Sequence, residues 1–329
     1  MSDTVVRIGT RSSELALRQA REVAAALQAR GVASELVTYT TIGDRILDRP
    51  LSAIGEKGLF TAELEADLLT GRTDCAVHSL KDLPTADPAG LTIVALLLRE
   101  DPRDALVVGP GIDAASLRDL PAGARVGTSS LRRRAQLRAL RPDIDVRELR
   151  GNVGTRLRKV DEGEVDAALL AAAGLRRLGL ERRIVALLDP PAWLSAPGQG
   201  AIAVQARSND SEMMALLAPL DHEGTRTAVT AERALLAALE GGCQVPIGAA
   251  MLKGTDAFGG ATLHGVIASI DGSSVVRGSI PVDLSDPAAS GRDLAAQLFA
   301  AGGSAILSAL REAGVGHAMS ASTPLPGSA

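Results

Sequence analysis

Cys243 is the residue of this chain best placed for covalent chemistry. It lies in the sequence GGCQ (241–244) and is one of only two cysteines among 329 residues. The two glycines before it remove side-chain bulk and allow a sharp turn, so we expect the thiol to be accessible. Because no partner stands at disulfide or zinc spacing, three roles are open: nucleophile, attachment point, or neither.

Basic residues are concentrated in one part of the chain. Between Arg132 and Lys159 there are ten Arg or Lys and only three Asp or Glu, although the formal net charge is −4. A solvated helix face is the ordinary explanation. Arg132 and Arg133, however, follow the sequence GTSS (127–130), a predicted strand-to-helix junction whose backbone N–H groups favour an anion.

Two further turns share this character. Arg150 and Arg156 bracket the sequence GNVG (151–154), and Arg11 and Ser13 stand at the start of the first predicted helix. Open α/β sheets bind ligands at the carboxyl ends of their strands, where these turns are expected to lie. Guanidinium groups bind carboxylates and phosphates bidentately, so the turns predict a polyanionic ligand. The common nucleotide-binding motifs are missing from the sequence, which favours a polycarboxylate.

Asp82 is a second candidate for chemistry. The sequence VHSLKDLP (77–84) closes a predicted strand and places Lys81 beside Asp82 at its carboxyl end. Either the two form an exposed ion pair of small energetic value, or Asp82 is a catalytic carboxylate facing a cationic intermediate and Lys81 binds anions. Cys75 and His78 have C-x-x-H spacing but face opposite sides of a strand, so no metal site is predicted.

The composition indicates a globular chain of two or three domains, with 46% apolar and 22% charged residues. The net charge of −4 argues against a simple nucleic-acid-binding protein. The segment MSDTVVRIGT lacks the features of a signal peptide, and no apolar run reaches the length of a membrane span. With only two cysteines, these features predict a cytoplasmic location.

Alternating strand and helix patterns predict two α/β lobes with mostly parallel sheets, followed by an α+β unit. In the first lobe, strands are predicted at 5–9, 35–40, 74–78 and 91–98, and helices at 14–30 and 60–69. In the second lobe, strands are predicted at 105–108, 125–128, 145–148 and 167–170, and helices at 131–140 and 153–163. One more strand is predicted at 201–206. The last unit is predicted to contain helices over 227–239 and 293–313 and strands at 249–252, 262–270 and 274–281.

Eight sequence motifs resemble those of the hydroxymethylbilane synthase (porphobilinogen deaminase) family. The resemblance runs from Arg7 to about Leu310, with the motifs in family order. They are RIGTRSSELAL (7–17), GEKGLFTAELEADLL (55–69), VHSLKDLP (77–84), REDPRDAL (99–106), GTSSLRRRAQL (127–137), LRGNVGTR (149–156), APGQGAI (196–202) and EGGCQVPIGA (240–249).

The resemblance implies a transferase that joins four porphobilinogen molecules head to tail, with loss of ammonia at each step, to give the linear tetrapyrrole hydroxymethylbilane. It also implies a dipyrromethane cofactor, held by a thioether to Cys243, which would make this cysteine an anchor. Asp82 matches the family's catalytic carboxylate, which stabilises cationic pyrrole intermediates and assists proton transfer. Each pyrrole ring carries an acetate and a propionate, which gives the arginines carboxylates to bind.

The family's binding positions carry over residue by residue. Besides Cys243, contacts with the cofactor are expected from Lys81, Ser129, Arg132, Arg133, Arg150 and Gln199. Contacts with the substrate are expected from Arg11, Ser13, Lys57, Phe60, Arg156 and Arg177. Lys57 and Phe60 belong to an active-site loop spanning about 43–60. No metal is implied.

The family fold consists of two α/β domains similar to type II periplasmic binding proteins and a C-terminal α+β domain. It implies domain 1 over 1–99 and 200–220, domain 2 over 103–195, domain 3 over 224–316, and a disordered tail over 317–329. The strand at 201–206 would then return to domain 1. We expect a monomer whose partners are porphobilinogen and the growing oligopyrrole chain, with no nucleic acid and no membrane.

Two other functions fit part of the pattern. A non-catalytic binding protein of the periplasmic type would clamp a dicarboxylate between two lobes, but it leaves Cys243 without a role and the absent signal peptide argues against it. An RNA-binding protein would use residues 132–159, but this cluster lacks the interleaved aromatic residues that stack on bases.

Overall fold

The computed structural model describes residues 5–41, 61–239, 245–254 and 260–312. Two five-stranded sheets and one three-stranded sheet organise these residues. The strands are β1 (Val6–Arg11), β2 (Ser34–Tyr39), β3 (Cys75–Ser79), β4 (Leu91–Leu96), β5 (Asp104–Val108), β6 (Arg125–Gly127), β7 (Asp145–Arg147), β8 (Ala167–Ala171), β9 (Ala186–Leu188), β10 (Ile202–Arg207), β11 (Ile247–Lys253), β12 (Ala261–Ala268) and β13 (Val275–Pro281). The α-helices are α1 (Glu14–Gln28), α2 (Ala62–Leu69), α3 (Leu131–Leu140), α4 (Val153–Asp161), α5 (Ala172–Arg177), α6 (Ser211–Leu217), α7 (Glu223–Ala238), α8 (Pro287–Leu298) and α9 (Ser304–Glu312).

The two five-stranded sheets repeat one topology. The first has the order β2-β1-β3-β10-β4 and the second the order β7-β6-β8-β5-β9. In each, the strand next to one edge, β10 or β5, is antiparallel to both neighbours, and the other pairings are parallel. The two lobes are therefore related in topology, although the residues show no obvious repeat. The predicted α/β architecture is confirmed, with one antiparallel strand in each sheet.

The chain crosses between these two sheets twice. It passes from β4 to β5 and returns from β9 to β10, so the prediction that the strand near 201–206 rejoins the first lobe is confirmed. Gly200, with φ of +89°, lies where the crossing segments meet, and a Cβ there would overlap the Glu100 carbonyl oxygen. The Gly200 carbonyl oxygen accepts a hydrogen bond from the Glu100 N–H at 3.2 Å. Glycine permits this close approach because it has no side chain and tolerates positive φ.

Helix α1 shows how the residue pattern produces the local structure. Ala16, Ala20, Val23 and Leu27 recur at helical spacing and are buried against the first sheet. Ser13 is the N-cap, and its Oγ accepts a hydrogen bond from the Ala16 N–H at 3.3 Å. The predicted amphipathic helix is confirmed, and its first turn stands directly after β1, where a ligand can be reached.

The C-terminal unit is the antiparallel meander β11-β12-β13 packed against α7, α8 and α9. Helix α7 begins at Glu223, four residues earlier than predicted, because the His222 side chain caps it by accepting the Thr225 N–H. The single final helix predicted over 293–313 is wrong. The structure has α8 and α9, separated by a π-type turn over Phe299–Gly303 in which Gly302 has φ of +104°.

The segment Pro287–Glu312 is long and apolar enough to cross a membrane by length and composition alone. It is interrupted at Gly302, however, and Leu294, Leu298 and Leu307 pack into the core of the C-terminal unit. These contacts give its apolar residues a place inside the folded chain.

Candidate active site

A cleft of about 580 Å³ lies between the first and second lobes. Its walls come from the residues that follow β1 and β3 in the first lobe, from α3, α4 and α5 in the second, and from the segment that leads back into β10. This is the carboxyl end of the parallel strands, where open α/β sheets place their ligands. Nine of the predicted site residues line the cleft: Arg11, Ser13, Lys81, Asp82, Arg133, Arg150, Arg156, Arg177 and Gln199.

The GNVG turn fixes Arg156 at the cleft wall. Asn152 caps α4 by accepting the Thr155 N–H at 2.8 Å, and Arg156 Nε donates to the Gly151 carbonyl oxygen at 2.8 Å. Gly151 has φ of +111°, and a Cβ there would overlap the Thr155 side chain. The turn therefore requires glycine, and the guanidinium is held by the backbone of the same turn.

The cleft is strongly cationic. Six Arg or Lys residues line it, and Asp82 is the single acidic residue among the described residues of its wall. Burial lowers the pKa of Lys81 to about 8 and that of Arg156 to about 10, and the Arg133 guanidinium adds like-charge repulsion to both. Burial also lowers the pKa of Arg177. Cations gathered at this energetic cost are expected at a site that binds a polyanion.

Asp82 lies in the 3₁₀ turn Leu80–Asp82, directly after β3. Its side chain is half-buried, and within the described parts of the chain its carboxylate has no hydrogen-bond partner. The neighbouring Lys81 Nζ donates to Gln199 Oε1 at 3.3 Å. The Asp82 carboxylate is therefore available to a bound ligand.

Arg132 and Ser129 do not line this cleft. The Arg132 side chain is 4% exposed, and its Nη1 donates to Asp104 Oδ2 at 2.6 Å and to the Leu194 carbonyl oxygen at 2.7 Å. Ser129 Oγ donates to the Leu149 carbonyl oxygen at 2.8 Å. In this structure both predicted cofactor contacts bind the protein instead, and their role toward a ligand stays a prediction.

Asp104, on β5, is a residue that the sequence reasoning missed. It is fully buried and accepts hydrogen bonds from Arg132, Arg133, Gln199 and Trp193. Burial opposes its ionisation, but the two guanidinium groups outweigh burial and hold the pKa of this carboxyl well below its usual range. The motif REDPRDAL contains Asp104, but the pattern gives no sign that four donors from distant segments meet there.

His78 is a second residue that was missed as part of the site. It is 6% exposed, lines the cleft, and its Nε2 has no hydrogen-bond partner within the described residues. Burial lowers the pKa of His78 to about 4, so its imidazole is neutral at pH 7. The predicted separation of His78 from Cys75 is confirmed, since Cys75 is buried in the core beside Val77.

Three predicted site residues, Cys243, Lys57 and Phe60, lie outside the described residues. The other cysteine, Cys75, is completely buried and does not line the cleft. Burial raises the pKa of its thiol to about 12. Among the described residues, no group of three or more His, Cys, Asp and Glu side chains is arranged to hold a metal ion.

Two family models match the chain. The porphobilinogen deaminase, dipyrromethane cofactor binding domain matches residues 6–215, and the porphobilinogen deaminase C-terminal domain matches residues 226–300. The chain is 54% identical to the porphobilinogen deaminase of Roseiflexus castenholzii over 303 residues, which cover 91% of this chain and 97% of that relative. It is 50% identical to the porphobilinogen deaminase of Syntrophobacter fumaroxidans over 311 residues, which cover 93% and 98%.

This chain belongs to the porphobilinogen deaminase family. The predicted transferase and the predicted dipyrromethane cofactor are thereby confirmed at the level of the family. Among solved structures, a methionine-binding protein resembles 67% of this chain and 90% of its own, with a TM-score of 0.43 and 13% identity, a likeness too weak to add to the topology above.

The cleft of this family member fits a group with several carboxylates. The Nε atom of Arg133 is buried and has no hydrogen-bond partner within the described residues, whereas the Nε atom of Arg177 lies 3.5 Å from Glu22. Both residues line the cleft. Buried cationic side chains, one of them with an unused donor, are suited to the acetate and propionate groups of pyrrole rings.

Proposed function

We propose that this cleft is the active site of a hydroxymethylbilane synthase, which joins four porphobilinogen molecules head to tail with release of ammonia. The observation that carries the proposal is the meeting of six cations and one carboxylate, from separate segments of both lobes, in one cleft. A dicarboxylate-binding protein would need the cations but not the Asp82 carboxylate. A bound dipyrromethane would supply the primer to which the pyrrole units are added.

In this proposal Asp82 is the catalytic residue. Loss of ammonia from the aminomethyl group of porphobilinogen leaves a cationic pyrrole, and a carboxylate with no hydrogen-bond partner within the described residues can stabilise that charge. The same carboxylate accepts the proton that the extended pyrrole must lose after coupling. Its placement directly after β3, on a turn closed by the Leu83 N–H to Leu80 carbonyl bond at 3.1 Å, keeps it at a fixed point of the wall.

The cationic residues divide between cofactor and substrate. We assign Lys81, Arg133, Arg150 and Gln199 to the cofactor, with Arg132 and Ser129 in support, and Arg11, Ser13, Lys57, Phe60, Arg156 and Arg177 to the substrate. Arg177 is held in place by the protein: its Nη2 donates to the Gly200 carbonyl oxygen at 3.0 Å and its Nε lies 3.5 Å from Glu22. It therefore joins α5 of the second lobe to α1 of the first.

We assign Cys243 as the cofactor anchor. The alternative thiol, Cys75, is buried and has a raised pKa, which makes it a poor nucleophile. Helix α7 precedes Cys243 in the chain. It is hydrogen-bonded to the segment that leads back into β10, because Glu232 accepts the Gly198 N–H at 2.8 Å. The three sheets support domains over 1–99 with 200–220, 103–195 and 224–316, and we expect a cytoplasmic monomer.

The intact mass of the purified chain under denaturing conditions tests the anchor. We expect an excess equal to two condensed porphobilinogen units, lost in Cys243→Ser and kept in the matched variant Cys75→Ser. Apo-protein incubated with porphobilinogen should acquire the same excess. A chain that stays unmodified after this incubation would contradict the synthase proposal, and an excess that persists in Cys243→Ser would contradict the anchor.

Asp82→Asn tests the catalytic assignment. The variant should keep the covalent cofactor but consume porphobilinogen at least about 100-fold more slowly, the usual contribution of a general acid or base. Asp87→Asn, an exposed neighbour on the same loop, serves as the control and should turn over normally. Near-normal turnover in Asp82→Asn would remove Asp82 from the mechanism.

A further inference from the structure

Asp104 is a buried carboxylate that the proposed reaction does not explain. It is 0% exposed and does not line the cleft. Five hydrogen bonds reach it: from Arg132 Nη1 at 2.6 Å and Nη2 at 3.3 Å, from Arg133 Nη2 at 2.8 Å, from Gln199 Nε2 at 2.8 Å and from Trp193 Nε1 at 2.7 Å. One carboxylate cannot neutralise two guanidinium groups, so the cluster keeps a net positive charge.

Two of these partners, Arg133 and Gln199, line the cleft. The Gln199 Nε2 donates to Asp104 Oδ1 and to the Pro102 carbonyl oxygen, the latter at 2.7 Å. An amide carries its donors on one atom and its acceptor on the other. Because Asp104 and the Pro102 carbonyl oxygen take the donors, the acceptor Oε1 must face the other way.

The atoms that Gln199 Oε1 faces are both cationic donors. Lys81 Nζ lies at 3.3 Å and Arg133 Nη2 at 3.5 Å. A reversed amide would turn its NH₂ group toward these two cations and lose both hydrogen bonds. Asp104 is therefore connected through Gln199 to Lys81, the residue next to Asp82 in the chain.

This connection also spans the two lobes. Asp104 and Arg133 belong to the second lobe, Lys81 follows β3 in the first, and Gln199 lies on the segment that returns between them. The side chains at the two ends of the network are thus held in register by one buried carboxylate. Because Gln199 Oε1 lies near donors from both lobes, a rotation of its amide would alter hydrogen bonds on both walls of the cleft.

We propose that Asp104 is a positioning residue of this active site, which orients the Gln199 amide and the Arg133 guanidinium and so holds Lys81 as a fixed cation beside Asp82. Asp104 touches no ligand in this proposal. It acts through two side chains that do.

The proposal is tested by measuring the protonation of Lys81 in the apo-protein, without porphobilinogen. Competitive acetylation over a range of pH, followed by peptide mass spectrometry, reports the midpoint at which the Lys81 amine becomes reactive. Among the described residues, the charged groups that act on this amine include Asp82, Arg133, Asp104 and Arg132. In Asp104→Asn we expect the midpoint to move toward acid by about one pH unit, a tenfold change in the protonation equilibrium.

The matched control is Asp166→Asn, which removes a carboxylate paired with Arg125 in the same lobe but away from the cleft. This variant should leave the Lys81 midpoint unchanged. Porphobilinogen-dependent assembly of the cofactor, followed by intact mass, should be slowed in Asp104→Asn and normal in the control. A merely structural role of Asp104 would lower stability without moving the Lys81 midpoint.

If Asp104→Asn does not fold, Gln199→Met decides the question, because it removes the link to Lys81 and keeps the Asp104 pairs with both arginines. An acid shift of the Lys81 midpoint in this variant supports the proposal. A midpoint equal to that of the unmodified chain, in either variant that folds, overturns it. The inference rests on the proposed function only in calling the cleft an active site. Because Lys81 is labelled without substrate, the positioning proposal can fail while the synthase proposal stands, and the reverse.

Discussion

Removal of Arg99 is expected to destabilise the protein far more than removal of an exposed arginine. Arg99 Nη1 and Nη2 donate to the two carboxylate oxygens of Glu232, each at 2.8 Å, and Nε donates to the Gln199 carbonyl oxygen at 2.8 Å. The Glu232 side chain is 0% exposed and that of Arg99 is 11% exposed. Glu232 also accepts the N–H groups of Gly198 and Met251. The pair thus joins the segment that leads back into β10 to the C-terminal unit.

The magnitude follows from this burial. Arg99→Met keeps the unbranched chain but removes the charge, which leaves the Glu232 carboxylate buried with two backbone donors. Removing one partner of a buried ion pair costs about 3–5 kcal/mol, because the remaining charge has lost its compensation. An exposed pair of helix residues contributes only about 0.3–0.5 kcal/mol. We therefore expect Arg99→Met to lower the free energy of unfolding by about 3–5 kcal/mol.

Urea unfolding at pH 7, followed by circular dichroism, measures this loss. The matched control is Arg158→Met, whose partner Glu162 lies four residues on, with side chains 60% and 49% exposed. It should lose less than about 1 kcal/mol. The double variant Arg99→Met/Glu232→Gln removes the stranded charge, so it should be less destabilised than the sum of the two single changes.

Two results would refute this reasoning. A loss below about 1 kcal/mol for Arg99→Met would place the buried pair in the class of exposed pairs. Strict additivity of Arg99→Met and Glu232→Gln would show that the two side chains do not depend on each other. Either result would mean that burial of the pair does not set its contribution.

Two further predictions concern pH. The rate at which apo-protein assembles the cofactor from porphobilinogen should fall as pH passes about 8, where the buried Lys81 loses its proton and its charge for binding the cofactor carboxylates, and Lys81→Arg should move this fall to higher pH. The free energy of unfolding should fall as pH drops from 6.5 toward about 4, since the unfolded chain takes up a proton that folded His78 does not, by up to about 3 kcal/mol. Thermal unfolding across this range should show a weaker acid dependence in His78→Gln, and an unchanged dependence would exclude His78 as its source.

Most of the cleft residues were predictable because each stands at or shortly after the carboxyl end of a strand. Arg11 ends β1, and Asp82 and the GNVG turn follow β3 and β7 in the sequence. One rule about parallel sheets is then enough to bring them to the same edge. Local sequence therefore predicted the site without a knowledge of which strands are neighbours.

Arg132 shows where this reasoning ends. It adjoins Arg133 in the same motif, but successive residues of a helix point about 100° apart. On α3, Arg133 reaches the cleft, whereas Arg132 is turned toward Asp104 and the Leu194 carbonyl oxygen. The motif identifies both arginines as important, and only the packing of α3 against the crossing segment tells them apart.

Asp104 and Glu232 were missed for a different reason. Asp104 binds residues 28 and 95 positions away, and Glu232 binds Arg99 across 133 positions. Neither periodicity nor spacing carries such pairings. The break in the final helix, by contrast, could have been predicted from the sequence. The pair Gly302-Gly303 is a helix breaker within the apolar pattern.

The placement of the acidic residues gives the site its electrostatic logic. Six cations so close together repel one another, and part of this repulsion is offset by carboxylates behind the wall: Asp104 on Arg133 and Glu22 on Arg177. Neither Asp104 nor Glu22 lines the cleft. Acids inside the cleft would compete with the carboxylates of a pyrrole ligand for the same guanidinium groups. Asp82 also offsets charge on Lys81 and Arg156, but a carboxylate behind the wall could do this without competing with the ligand, so its position inside the cleft is best explained by the chemistry proposed for it.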